Sequence, residues 1–171
     1  ALGANAPLFG GGHGVLDAEV TKEFQVVAEL LGPPMMNTLR GKSAINERHE
    51  LACGTGGHAK TAALMHFLQR ADVVLAVGSS LSQSSFTPAI PPGKTIIHAT
   101  NDPRDLNKVH QTAVPIQADA KLFLTQLIDE LKGRVGDKEK ARHVEVVAKI
   151  ASRTKAWRAD FENEFSDNGS P

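Results

Sequence analysis

Residues 72–78, Asp-Val-Val-Leu-Ala-Val-Gly, constrain the fold more than any other stretch of the chain. Five apolar residues run together with no polar position between them. A strand with one wet face would alternate, and a run this short does not make a helix. A continuous β-branched segment closed by glycine reads as a strand buried on both faces, which is the environment of a parallel sheet. Parallel neighbours need crossover connections, so helices are expected between strands.

Four further segments supply those neighbours. Residues 6–9 lead into Gly10-Gly11-Gly12, and 33–39, 94–100 and 113–118 read as strands. Between them, 17–31 is expected to be one amphipathic helix, with Val20, Phe24, Val27 and Leu31 on one face and Asp17 favourable at its start. Residues 58–70 and 120–132 are expected as helices, the first carrying Ala62, Met65 and Leu68 and the second Leu122, Leu124, Leu127, Ile128 and Leu131. Residues 40–57 are polar, rich in glycine and without periodicity, and read as a long loop. The expected class is α/β, a parallel sheet of five to six strands with helices on both faces.

After Gly133 the chain becomes densely charged, with Val147, Ile150, Trp157, Phe161 and Phe165 at roughly helical spacing. A long helix over about 138–165 follows. We divide the chain into a domain over 1–133 and a helical linker over 134–171. The helix packs on its own domain or serves as an arm to a further module; the linker-like ending Ser166–Pro171 favours the arm.

Composition narrows the function. Lys plus Arg and Asp plus Glu balance at 19 each over 171 residues, which leaves no electrostatic footprint for nucleic acid or an anionic membrane. No apolar run approaches the ~18 residues that span a bilayer. The N-terminus carries no signal-peptide pattern and begins without Met, so the sequence reads as a piece of a longer chain. A single cysteine, Cys53, excludes an internal disulfide framework and fits a reducing, cytoplasmic setting.

Several motifs come close to known chemistry and fall short. At 53–63 Gly54, Lys60 and Thr61 are in P-loop register, but Ala59 replaces the second glycine and 46–53 is too polar for the delivering strand. Gly54, Gly56 and Gly57 are expected to form a tight entry to the next helix. After the first strand, Gly10 and Gly12 begin a dinucleotide fingerprint, but Val15 stands third and no acid ends the second strand. Cys53 with His49 or His58 does not define a nucleophile by sequence nearness alone. His98, inside a strand, reads as a packed core residue.

The ordered set "PLFGGGHGV" (7–15), "AELLGPP" (28–34), "NTLRGKSAINERHEL" (37–51), "GTGGH" (54–58), "RADVVLAVGSSLS" (70–82), "GKTIIHATNDPRDLNK" (93–108) and "IQADAKLFLTQLIDEL" (116–131) resembles the central domain of thiamine-diphosphate-dependent enzymes of the acetolactate-synthase-like branch. The resemblance implies a Rossmann-like parallel sheet. It implies a homodimeric or homotetrameric parent acting on 2-oxo acids as a carboligase or decarboxylase. Thiamine diphosphate and magnesium would lie between flanking pyrimidine-binding and diphosphate-binding domains, with an activating glutamate from the first. This piece would then carry no catalytic residue and no metal ligand of its own. Gly136-Asp137 with Asn163 imitates the family's magnesium motif, but Lys138 replaces its second glycine.

Some members hold FAD or ADP at the carboxyl ends of the central strands. The matching positions here are Gly10, Gly11, Gly12, Gly78, Ser79, Asp102, Asp119 and Ala120. Ser80 stands where the family's FAD-binding arginine belongs, Ser82, Gln83 and Ser84 replace its acidic-basic run, and Thr100 replaces the first acid of Asp-x-Asp. Each lost charge-assisted contact costs about 1.5–3 kcal/mol. The expectation is no tightly held FAD, with an ADP-type nucleotide left open. The alternative is an autonomous domain binding ADP, CoA or NAD.

Overall fold

A computed structural model describes residues 3–57, 60–86 and 89–162. His58, Ala59, Asn163 and the closing 166–171 run lie outside the described residues. Six parallel strands form one sheet in the order β3-β2-β1-β4-β5-β6. They are β1 Pro7–Gly11, β2 Met35–Thr38, β3 Ala52–Gly56, β4 Val73–Val77, β5 Thr95–Thr100 and β6 Val114–Gln117. The helices are α1 His13–Asp17, α2 Thr21–Leu31, α3 Ala62–Arg70, α4 Ala120–Leu131 and α5 Asp137–Asp160. The continuous run at 73–77 lies between β1 and β5, with Val74 to Val77 buried.

Strand register sorts the side chains into two faces. Phe9, Met35 and Leu75 are in register on one face; Gly10, Met36 and Ala76 lie on the other. On the first, Phe9 stacks on Phe24 of α2 with ring centroids 3.8 Å apart and planes 10° from parallel. Fully burying each such ring contributes about 1.5–3 kcal/mol. Helix α4 packs beside α2. The opposite face receives Leu68 of α3.

Three sequence expectations change. Residues 40–57 are not all loop, because β3 pairs with β2 at the sheet edge. The single helix expected over 17–31 does not form: α1 ends at Asp17, Glu19 takes φ 56, and α2 starts at Thr21. The 58–70 helix starts at Ala62, with the Thr61 hydroxyl accepting the Leu64 N–H at 3.0 Å as its cap.

Helix α5 crosses the amino ends of the strands. Its buried stripe is Glu139, Arg142, Val146 and Ile150. Arg142 donates from Nη1 to the Leu31 carbonyl at 2.7 Å, before β2, and from Nη2 to the Ala4 carbonyl at 2.8 Å, before β1. His143 Nε2 and Glu50 Oε1, before β3, are 2.7 Å apart. Gly32 ends α2 at φ +70, and a Cβ there would lie 2.7 Å from the Glu139 carbonyl oxygen. Both the turn and the approach of α5 therefore require glycine. Beyond Ile150 the helix is largely exposed.

Candidate functional site

Open parallel sheets bind ligands at the carboxyl ends of their strands, where the order of connections reverses. Here that point lies between β1 and β4. Three exits converge on it, after β1, β2 and β4. Gly12 N–H donates to the Val77 carbonyl at 2.9 Å and Gly14 N–H to the Gly78 carbonyl at 2.8 Å. A Cβ on Gly12 would sit 2.2 Å from the Gly78 oxygen, and one on Gly41 would sit 2.7 Å from the Gly12 carbonyl carbon. Gly78 itself has φ +61. The body approaching the glycines after β1 is the chain's own backbone. Two amides that a phosphate would seek are already donating inward.

The three consecutive glycines are not equivalent. Gly11 faces the Phe24 ring, which a Cβ would meet at 3.3 Å. Gly12 belongs to the junction of exits. Gly10 opens into a cavity of about 560 Å³ on the opposite sheet face. Met36, Val74, Ala76 and Leu68 surround it, and Gly78 to Ser84 with Phe86 line another side. A smaller pocket of about 250 Å³ lies at the exits of β4, β5 and β6 and is polar, lined by Asp17, Thr100, Asn101 and Asp119.

The expected cleft residues therefore divide. Gly10 lines the large cavity, Asp119 and Ala120 the small pocket, and Gly78 and Ser79 both. Gly11, Gly12 and Asp102 line neither. Asp119 caps α4 by accepting from the N–H groups of Lys121 and Leu122 at 2.9 and 3.1 Å. Asp102 grips Arg104, with the closest nitrogen at 2.7 Å, and caps the turn at Pro103–Asp105. The Arg104 side chain holds the Asp102 carboxyl down to about 2. His98 is buried, as its strand position predicts, and its Nε2–H donates to the Ser79 carbonyl at 2.6 Å. Because a carbonyl only accepts, this bond fixes the tautomer and ties the β4 exit to β5. Sequence reading missed that tie, and it missed Arg40, which lines the large cavity from the β2 exit. The signal available for Arg40 was its place beside Gly41 directly after a strand.

The near-motifs resolve as structure. Gly54 and Gly56 belong to β3 and do not form the turn expected of them. The Thr61 hydroxyl donates to the Cys53 carbonyl, tying β3 to the start of α3. Cys53 is buried and its thiol donates to the Met35 carbonyl at 3.0 Å. Burial pushes that thiol up to about 12, so it supplies no thiolate at neutral pH. Among the described residues no group of three or more His, Cys, Asp or Glu is placed to hold a metal. None of their helices is long and apolar enough to cross a membrane.

A parallel sheet with a switch point between β1 and β4 defines a Rossmann-like domain, and comparison with known proteins carries this to the family. The family model for the thiamine pyrophosphate enzyme central domain matches residues 2–127. The chain belongs to that family. It is 33% identical over 138 residues to the acetolactate synthase large subunit of Corynebacterium glutamicum, covering 80% of this chain and 22% of that protein. It is 30% identical over 165 residues to the sulfoacetaldehyde acetyltransferase of Castellaniella defragrans, covering 92% of this chain and 27% of that protein. A solved structure described as a thiamin diphosphate-dependent enzyme from Mycobacterium smegmatis superposes with TM-score 0.62 at 22% identity, covering 75% of this chain and 25% of that one. The chain thus spans about a quarter of the length of the relatives it matches. Neither these relatives nor the self-filled glycine junction supports the autonomous nucleotide-binding alternative.

The family implies thiamine diphosphate. The described residues do not fit that group: the switch-point amides are engaged, and no cluster among them suits its metal.

Proposed function

We propose that this chain is the scaffold module of a larger thiamine-diphosphate enzyme. The parent makes or cleaves a carbon–carbon bond next to a carbonyl, starting from a 2-oxo acid. Flanking pyrimidine-binding and diphosphate-binding modules hold the cofactor and magnesium, in a cytoplasmic homodimer or homotetramer. The central module sets the spacing of its neighbours, and α5 is the arm leading to the second. The carrying observation is the junction at Gly12, Gly41 and Gly78: the place where such a sheet would hold a diphosphate is packed with its own backbone.

Of the cleft positions, we assign Gly10, Gly78, Ser79, Asp119 and Ala120 to pocket walls, Gly11 and Gly12 to packing, and Asp102 to a turn. This module holds no tightly bound FAD, a reading supported by Ser80 and the serines after it and by the engaged amides. The full reading frame tests the proposal. It is expected to encode an upstream module with a buried glutamate and a downstream module with Gly-Asp-Gly followed by Asn. A frame without them, expressed as a folded and self-sufficient protein, would refute it.

A further inference from the structure

The large cavity contains an opening that packing does not demand. Glycine inside a central strand weakens it, and commonly marks the close approach of a ligand or another backbone. Gly11 and Gly12 have such neighbours, the Phe24 ring and the Gly78 carbonyl. Gly10 does not. A Cβ there would meet only Met36 Cγ at 3.7 Å and the Leu75 oxygen at 3.9 Å, both ordinary contacts. Its bareness widens the cavity, as does Ala76 beside it in register on β4.

Together they leave a flat apolar floor with Met36, Val74 and Leu68 around it. The volume of about 560 Å³ falls within the 300–1,000 Å³, roughly, of small-molecule sites. Ser80, Ser82 and Gln83 supply a polar side, with the Ser80 and Ser82 hydroxyls hydrogen-bonded to each other at 3.0 Å. Among the described residues of the lining, which include His13 and His110, Arg40 is the one with a permanent charge, and there is no carboxylate or lysine.

We propose that this cavity binds a small amphipathic anion, an acyl or aryl carboxylate, with its apolar body on the Gly10–Ala76 floor and its charge at Arg40. One hydroxyl of the bonded Ser80–Ser82 pair keeps a proton to donate to the carboxylate. A nucleotide fits less well: its diphosphate lacks the Gly12 and Gly14 amides, and its ribose would set hydroxyls on an apolar floor. The proposal stands apart from the thiamine-diphosphate reading and survives or fails without it.

The test uses the 171-residue chain and the fluorescent probe 8-anilinonaphthalene-1-sulfonate. The probe is expected to bind saturably, and octanoate to displace it. Octylamine, with the same chain and the opposite charge, is expected to compete at least tenfold more weakly. Arg40→Gln is expected to weaken octanoate about fivefold, the effect of one partly exposed ion pair, while leaving displacement by neutral octanol unchanged; Arg40→Lys recovers most of the loss. Gly10→Leu fills the floor and is expected to abolish probe binding with circular dichroism preserved. Should Gly10→Leu not fold, exposed Arg40 keeps the question answerable. Absence of saturable binding, equal competition by octylamine, an unaltered octanoate affinity in Arg40→Gln, or displacement by ADP or FAD ahead of octanoate would each overturn the proposal.

Discussion

Replacing Arg142 by Met is expected to unfasten α5 from the amino ends of the strands. The Arg142 side chain is 8% exposed and makes two charge-assisted hydrogen bonds, to the carbonyls of Leu31 and Ala4 at 2.7 and 2.8 Å. Each such bond contributes about 1.5–3 kcal/mol. Met preserves most of the apolar stem but leaves both buried carbonyls without that donor. Glu139, 4.0 Å from the guanidinium, loses its cation but keeps the Gly136 N–H at 3.0 Å. The sum is a loss of about 3–5 kcal/mol. With a urea dependence of about 2 kcal/mol per molar, the unfolding midpoint falls by about 1.5–2.5 M. The assay follows one transition with two probes. Far-UV circular dichroism reports the whole chain, and fluorescence of Trp157, the sole tryptophan, reports α5. If α5 belongs to the cooperative core, the two curves coincide in the parent chain. Arg142→Lys should recover less than half, because one ammonium does not span both carbonyls as a guanidinium fork does. A loss under about 1 kcal/mol in Arg142→Met would refute the reasoning.

Three other outcomes are expected. Gly12→Ala should cost about 3 kcal/mol or more, because its Cβ would lie 2.2 Å from the Gly78 oxygen, whereas Gly10→Ala, with no contact under 3.7 Å, should raise stability by about 0.5 kcal/mol; paired thermal melts decide it, and equal effects would contradict the division of roles. Burial alone would raise the Asp72 carboxyl, but N–H groups of Asn5 and Ala6 at 2.7 and 3.0 Å, together with those of Asp72 and Val73, outweigh it and hold the group low. A depressed carboxylate stabilises the fold above its unfolded value, about 3.9, and that contribution is lost as pH falls through the lower folded value. Urea curves at pH 6 and below pH 3 should therefore show the gap between parent and Asp72→Asn closing with acid, and a gap that widens would reverse the sign. Cys53 in the native chain should react with an aromatic disulfide reagent only as fast as the protein opens; rapid stoichiometric labelling without denaturant would show the thiol to be accessible.

The middle of the sheet was legible in the sequence because its residues are uniform in character. β4 is apolar throughout, so neither periodicity nor exposure confuses it. β3 was hidden: Ala-Cys-Gly-Thr-Gly has two glycines and only Cys53 and Gly56 buried, as an edge strand permits. The joined helix expected at 17–31 followed a periodicity that ran through Glu19, a residue whose positive φ no spacing reveals. In α5 the charge density masked the docking stripe. Glu139 and Arg142 are buried on the same face as Val146 and Ile150, and one-letter polarity places them in water. The site was harder. Glycines after β1 fit ligand approach and backbone approach equally well, and only the distances from Gly12 to the β4 exit separate the two. By resemblance Asp102 matches the second acid of the family's Asp-x-Asp, yet Arg104, two residues on, occupies it.

On the function we propose, this module supports a reaction whose cofactor is held by its neighbours. Calorimetric titration of thiamine diphosphate with magnesium into the 171-residue chain, followed by a pyruvate-consumption assay on the same sample, tests it most directly. No saturable heat below millimolar cofactor and no loss of pyruvate is the expected result; micromolar binding, or any turnover above the protein-free control, contradicts the claim.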